Sequence, residues 1–435
     1  MHESNEGLRK SLHIAFGLFA FSLKWLPWWV AACVAVSAVL GNWLVLHRVV
    51  GRSVARHERG FDAGIVIYPA MVLLLVVVFR EQLHIAAIAW TTLAFGDGFA
   101  TLAGKAAGIA RLPWNRDKSL GGLLTFVIAG SIAGIAVVRF LGAGSIAAVV
   151  IAVVVAAIVE SLPLRVDDNL TVPIAAVVVL VIAELPAVPY SLPPHSLTWL
   201  AINTLLAIAG WFARSVDLSG AIGGWVLGAI LILGAGFPLY VALLAFFVIG
   251  TLTTKIGYAR KARLGLAQER GGRRGFSHAF SNVGIAAICA IAVARLGHAA
   301  EAALLPVMMG LGSLATAAAD TTASEIGQLA GRRAFLPLTL KRVPVGTEGA
   351  VSLEGTLAGL IAGFIVAAIS LGTMRALGAR GLIILTAAAF LGSYLESIAG
   401  SWNRKQSDPV PNGVLNFFNT AAGALLVLIA WQIRI

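Results

Sequence analysis

Apolar residues in this chain run on in long stretches broken by short polar segments. They neither alternate at strand period nor keep to one helical face. A helix that crosses a bilayer needs about 20 apolar residues. The runs predict about 15 such helices, near 11–24, 27–46, 62–79, 82–100, 119–140, 143–162, 170–187, 196–213, 217–234, 237–252, 279–296, 300–318, 351–371, 379–399 and 413–433. In lipid each backbone N–H and C=O must find its partner inside the segment, which makes such runs helical. The expected fold class is all-α, a polytopic integral membrane protein. The Pro-rich stretch from Pro186 to Pro194 divides it into domains at 1–190 and 191–435.

Composition excludes a soluble alternative, since 59% of the residues are hydrophobic and 12% charged, against roughly a quarter charged in soluble chains. A net charge of +12 would point a soluble protein toward nucleic acid. Here, with the N-terminus inside, alternate loops place 25 of the 32 Lys and Arg on one side. The exceptions are Lys24, Arg80, Arg139, Arg295, Arg375, Arg380 and Arg434. That asymmetry is the positive-inside rule, so the charge reports topology, the N-terminus faces the cytoplasm and no nucleic-acid partner is expected. Cys33 and Cys289 lie inside apolar runs and read as packing residues, without disulfide or zinc spacing. Residues 1–10 show no signal-peptide arrangement, so the first apolar segment is expected to stay, in a plasma membrane.

The inside loops at 105–118, 253–278 and 319–350 hold the Gly, Asp, Ser, Arg and Lys clusters, which puts any chemistry on the cytoplasmic side. An internal repeat orders these clusters. Asp97-Gly-Phe-Ala100-Thr-Leu-Ala-Gly104 and Asp320-Thr-Thr-Ala323-Ser-Glu-Ile-Gly327 share the pattern D-x-x-A-x-x-x-G. Each is followed by Ser-Leu-x-Gly, at Ser119 and Ser352, and then by a Glu-Ser pair, Glu160-Ser161 and Glu396-Ser397. An amide-bearing start to the next span closes both series, at Asp168-Asn169 and at Asn416 to Thr420. Two related membrane units result, an arrangement also found in transporters.

A carboxylate at membrane depth costs about 2.5–3.5 kcal/mol on insertion scales, so these acids need compensation. A divalent metal supplies it. Asp97, Glu160, Asp168 and Asn169 in the first unit, and Asp320, Glu325, Glu354, Glu396 and Asn416 in the second, are candidate Mg²⁺ ligands, with nucleotide phosphates completing the shell. The alternative is a set of neutral, hydrogen-bonded packing groups. Gly96, Gly104 and Gly108 would let backbone N–H groups approach phosphate, with Lys105, Arg116 and Lys118 neutralising its charge. Ser119 opens the next span, where a helix N-terminus favours an anion. Lys341, Gly346, Thr347 and Ser352 repeat the arrangement, and the long basic loop adds Lys255, Arg273 and Arg274 as a diphosphate clamp or a lipid-headgroup contact. Such glycines also serve as close-packing devices between helices. Asp97, Lys118, Glu160, Asp320 and Glu396 are the candidate catalytic residues.

The series Arg9-Lys10-x-x-His13, Gly96-Asp97-Gly-Phe-Ala100 to Gly108, Asp117-Lys118-Ser119-Leu-x-Gly122, Val159-Glu160-Ser161 and Asp167-Asp168-Asn169-Leu-Thr-Val-Pro173 resembles the phytol kinase and dolichol kinase family, related to CDP-diacylglycerol synthases. That resemblance covers about residues 8–185 and implies phosphorylation of an isoprenoid alcohol with CTP. Asp217-Leu-Ser-Gly220-Ala, Gly250 to Gly257, Glu269 to Arg274, Asp320 to Gly327, Val345-Gly346-Thr347 to Thr356 and Gly413 to Asn419 resemble the family of domain of unknown function ninety-two, which includes a plant phytyl-phosphate kinase. It covers about 196–435 and implies conversion of an isoprenyl monophosphate to the diphosphate. Glu348 stands where that pattern carries Asn or Asp. Together the resemblances imply a bifunctional kinase using CTP or another NTP with Mg²⁺, its partners being isoprenoid alcohol, isoprenyl monophosphate, nucleotide and bilayer. A CDP-lipid-forming cytidylyltransferase, whose longer C-terminal signature is not evident, and a two-repeat transporter stay open beside it.

Overall fold

The computed structural model of the protein describes residues 3–46, 63–106, 110–266, 273–374, 378–406 and 409–433. Each of the fifteen apolar runs falls on helix. Among the described residues nine helices are long and apolar enough to cross a membrane, and four apolar helices are shorter. The protein is an all-α polytopic membrane protein made of two compact units, Met1–Glu184 and Leu185–Ile435.

The first unit contains α1 (Glu3–Gly17), α2 (Trp28–Gly41), α3 (Ala63–Val78), α4 (Leu83–Thr91), α5 (Gly98–Ala106), α6 (Leu120–Leu141), α7 (Ile146–Ser161) and α8 (Asp168–Glu184). A π-helical turn over Thr92–Asp97 joins α4 and α5 into one span. Turns of this kind are rare in helices and cluster at functional sites; this one carries Asp97. A small hairpin of β1 (Arg111–Leu112) and β2 (Asn115–Ser119) delivers Ser119, whose Oγ caps α6 by accepting from the Gly122 N–H at 3.1 Å.

The second unit contains α9 (Ser196–Phe212), α10 (Leu218–Ala235), α11 (Phe237–Lys255), α12 (Tyr258–Arg263), α13 (Phe276–Leu296), α14 (Leu304–Ala330), α15 (Leu353–Gly372), α16 (Gly378–Asn403) and α17 (Asn412–Gln432). Helix α14 is its axis, packed against α11, α13, α15, α16 and α17. The expected span at 300–318 is therefore too short, and the expected loop at 319–350 begins only after Ala330. Asp320, Thr321, Thr322 and Glu325 read as a loop by polarity, but all are buried against neighbouring helices. That loop then folds into a three-stranded sheet of β3 (Ala334–Phe335), β4 (Arg342–Val343) and β5 (Val351–Ser352), ordered β4-β3-β5.

The sequence repeat is repeated packing. Ser352 caps α15 as Ser119 caps α6, with its Oγ accepting from Gly355 N at 3.2 Å. A Cβ added to Gly104 would lie 3.3 Å from Ser119 Oγ, and one added to Gly327 would lie 3.2 Å from Ser352 Oγ. Gly122 faces the Ala100 carbonyl as Gly355 faces that of Ala323. Further along the same helices, Gly130 meets Val153 and Gly96, and Gly363 meets Ala389 and Ala319. Every pair keeps its offset from the repeated Asp, Ser and Glu. In both units, then, the Asp-bearing helix lies flat against the Ser-capped helix because small residues remove the side chains between them.

Gly355→Val puts a Cβ 2.6 Å from the Ala323 carbonyl oxygen, an overpacking that costs about 1–3 kcal/mol or more. Thermal unfolding in detergent should shift down by several degrees for this variant. Gly224→Ala, where a Cβ meets nothing within 4 Å, should leave the transition unchanged or raised.

Candidate active sites

In the first unit the π-turn, the C-terminus of α7 and the N-terminus of α8 bring Asp97, Glu160 and Asp168 together. One carboxylate oxygen from each lies within 4.8 Å of the other two. Asp97 and Glu160 are buried and Asp168 is half-buried. Two lysines answer the three acids. Lys10 of α1 pairs with Asp97, while Lys118 of β2 pairs with Glu160 and lies 3.3 Å from Asp168. Burial opposes the Lys118 charge, but Asp168 and Glu160 together outweigh it and hold the ammonium above the usual lysine range. Helix α1 is fixed here by His13, edge-on to the Tyr68 ring at 3.8 Å; Tyr68 in turn accepts from Trp90 Nε1 at 2.7 Å. Asn169 donates to the Gly64 carbonyl at 3.4 Å.

The residues expected to cradle phosphate divide. Gly96 faces the Phe126 ring and Gly104 faces Ser119, so both let helices approach each other. Arg116 is exposed on the hairpin, whereas Ser119 is buried with its hydroxyl on a backbone N–H. Gly108 and the side chain of Lys105 lie outside the described residues.

In the second unit Asp320 accepts from Ser393 Oγ at 3.5 Å, tying α14 to α16. Glu396, one turn beyond Ser393, lies within electrostatic reach of Asp320 and Glu348. Among the described residues neither Asp320 nor Glu396 has a basic partner. Glu325 belongs to a different cluster. It pairs with the buried Lys261 of α12 and accepts from Thr254 Oγ1 at 3.0 Å.

Arg274 is buried beside Glu325, donating to the Gly250 carbonyl at 2.9 Å and to Thr254 Oγ1 at 3.2 Å. Burial pulls its guanidinium down to about 10, with Glu325 opposing, which leaves it charged at neutral pH. Arg274 is thus spent inside the protein, while its neighbour Arg273 is exposed. Lys255 is exposed and donates to Ser215 Oγ at 3.2 Å. Lys341 and Gly346 are exposed, and Gly346 needs its positive φ of 87° to turn the chain over Leu266. Thr347 Oγ1 donates to the Pro344 carbonyl at 2.7 Å, and Ser352 is the cap of α15. Glu354 is half-buried in the first turn of α15, and Asn416 is half-buried in the second turn of α17.

Lys10, Lys261, Asn282 and Asn419 stand outside the candidate site residues drawn from the sequence, although Lys10 falls in the Arg9-Lys10-x-x-His13 series and Asn419 in the repeat. The signal for Lys10 is its helical spacing from His13, which sets both on one face of α1. Lys261 stands among three cations in Tyr258–Arg263, of which it alone is buried.

The family described as Integral membrane protein DUF92 matches residues 201–422, just over half of the chain. An uncharacterized membrane protein of Synechocystis is 39% identical over 205 residues, 47% of this chain and 78% of that protein. Protein VTE6, chloroplastic, of Arabidopsis thaliana is 34% identical over 245 residues, 54% of this chain and 72% of its own length. Probable phytol kinase 3, chloroplastic, of Glycine max is 27% identical over 194 residues, 39% of this chain and 61% of that protein. No solved structure matches the chain.

Lys118→Met leaves Glu160 and Asp168 facing each other without their shared cation. The variant should unfold several degrees lower, and Mg²⁺ should restore more of its stability than it adds to the parent protein. Because folding raises the Lys118 pKa, its contribution is complete below the ordinary lysine range, so the deficit should stay constant between about pH 6 and 9. An equal Mg²⁺ response in both proteins would contradict the shared-cation account.

Proposed function

The chain belongs to the DUF92 family of integral membrane proteins, and from that premise we propose that it is a membrane isoprenoid kinase with one site in each unit. The first site phosphorylates an isoprenoid alcohol such as phytol or geranylgeraniol. The second converts the monophosphate to the diphosphate. CTP or another nucleoside triphosphate is the donor, with Mg²⁺, on the cytoplasmic face of a plasma membrane. The observation that carries this reading is the meeting of Asp97, Glu160 and Asp168 with Lys10 and Lys118. Probable phytol kinase 3 among the relatives supports the same class.

The residues of the first unit fit the metal. Mg²⁺ takes oxygen ligands in near-octahedral geometry at about 2.0–2.1 Å, so opposed ligand oxygens stand about 4.2 Å apart. Asp97, Glu160 and Asp168, each with one carboxylate oxygen within 4.8 Å of the other two, would hold such an ion. When bound, the ion neutralises charge on the transferring phosphoryl group. Lys10 and Lys118, released from their carboxylates, turn to the phosphate oxygens. Asp97 accepts the hydroxyl proton as the alcohol oxygen forms its bond to the γ-phosphorus and the bond to the β–γ bridging oxygen breaks. Catalysis is then mainly alignment and charge neutralisation. In the second unit the acceptor is already a phosphate oxygen, and no such proton need be taken.

Membranes containing the protein, given CTP labelled at the γ-phosphate and an isoprenoid alcohol, should yield labelled mono- and diphosphate. Asp97→Asn should abolish the product from alcohol but keep conversion of supplied monophosphate; Asp320→Asn should let monophosphate accumulate. Identical behaviour of the two variants would end the division of labour. Cytosine label entering lipid would make the protein a nucleotidyl transferase instead.

A further inference from the structure

Helices α14, α16 and α17 meet at Thr316, Gly392 and Gly423. A Cβ on Gly392 would lie 2.6 Å from Thr316 Cγ2 and 3.3 Å from Gly423 N. One turn from this contact, toward the end of the unit where α16 finishes and α17 begins, each helix carries a side chain with a carboxylate or amide oxygen. These are Asp320, four residues after Thr316, Glu396, four after Gly392, and Asn419, four before Gly423. Asn419 is 2% exposed, and neither atom of its side-chain amide has a hydrogen-bond partner among the described residues. Its neighbour Thr420 donates to the Ser281 carbonyl at 3.3 Å, which brings α13 alongside. There Asn282, fully buried, also has an unpartnered Oδ1.

The first unit shows how such a set is completed. Its third oxygen comes from the helix that follows the Glu-bearing helix, at Asp168. In the second unit α16 runs about two turns past its Glu, and α17 starts about two turns before its Asn. Glu396 therefore sits back from the end of α16 and Asn419 sits equally far past the start of α17, which returns them to one level. The charge differs as well. The first unit sets two lysines against three acids, whereas among the described residues Asp320 and Glu396 have no basic partner, and Glu348 is a further acid within electrostatic reach of Glu396.

We infer that Asp320, Glu396 and Asn419 Oδ1 bind a divalent cation within the second unit, with Asn282 Oδ1 as a fourth oxygen. Two anionic and two neutral oxygens are a hard donor set suited to Mg²⁺ or Mn²⁺. Glu325 and Asn416 are outside the set, because Glu325 is committed to Lys261 and Thr254, and Asn416 stands nearly a turn nearer the helix start. The inference rests on the kinase reading for the purpose of the ion, and not for its binding.

Mn²⁺ binding to the purified full-length chain, measured by electron paramagnetic resonance without nucleotide, tests it. In a Glu160→Gln/Asp168→Asn background, which disables the first site, one Mn²⁺ per chain should remain. Asn419→Leu should weaken it at least about tenfold, the loss typical even of an outer-shell partner. Asn419→Asp, nearly identical in shape, should keep or tighten it, and covers the case in which Asn419→Leu does not fold by circular dichroism. No Mn²⁺ in the background, unchanged affinity in folded Asn419→Leu, or weaker binding in Asn419→Asp overturns the site. Phosphoryl transfer to supplied isoprenyl monophosphate, the acceptor proposed for the second unit, is read on the same preparations. Asn419-dependent binding without transfer keeps the cation site and removes the kinase reading, and transfer without such binding does the reverse.

Discussion

A carboxylate at membrane depth costs about 2.5–3.5 kcal/mol unless something offsets its charge, and the arrangement of this protein's polar residues follows from that constraint. Three solutions coexist in one chain. Asp97, Glu160 and Asp168 share Lys10 and Lys118. Glu325 is closed off by Lys261, with Thr254 and Arg274 completing a buried network. Asp320 accepts from Ser393, and among the described residues neither it nor Glu396 has a basic partner, while Glu348 adds a further acid near Glu396. The lysines come from α1, β2 and α12, short elements beside the long spans, so each ion pair also pins an otherwise peripheral segment to its unit.

The same constraint explains the glycines. Carboxylates can be brought together inside a helical bundle only if their helices approach closely, and Gly104, Gly122, Gly327 and Gly355 provide that approach. The caps Ser119 and Ser352 finish the job by satisfying a backbone N–H at the start of the partner helix. The repeated motif is thus a device for setting an aspartate at a fixed height beside a capped helix. Gly96 and Gly104 contact protein, Lys10 and Lys118 are paired with the carboxylates, and Arg116 is exposed on the hairpin.

Much of the fold was legible because lipid imposes long apolar runs, and all fifteen runs are helices. The run ending at 318 misled because hydropathy cannot distinguish a polar loop from a polar helix face buried among other helices, and Asp320 to Glu325 is the latter. Two-residue strands such as β3 and β4 leave no periodicity to find. At the candidate sites, the repeat singled out Asp97, Glu160, Asp320 and Glu396 because the order of the motifs is kept even where the loops between them differ in length. Lys261 was hidden because basic residues near span ends look topological; Lys10 and Asn419 fell inside the motifs without a role, since the partner of Lys10 and the helices that converge at Asn419 are set only by the packing.

The central claim is that the buried carboxylates of both units are cation sites of one design with different charge. Anomalous scattering from crystals grown with Mn²⁺, recorded at the manganese edge, tests it most directly. The account predicts two peaks per chain, one among Asp97, Glu160 and Asp168, the other among Asp320, Glu396 and Asn419. A second peak at Glu325, or density for Mn²⁺ in the first unit alone, would contradict it.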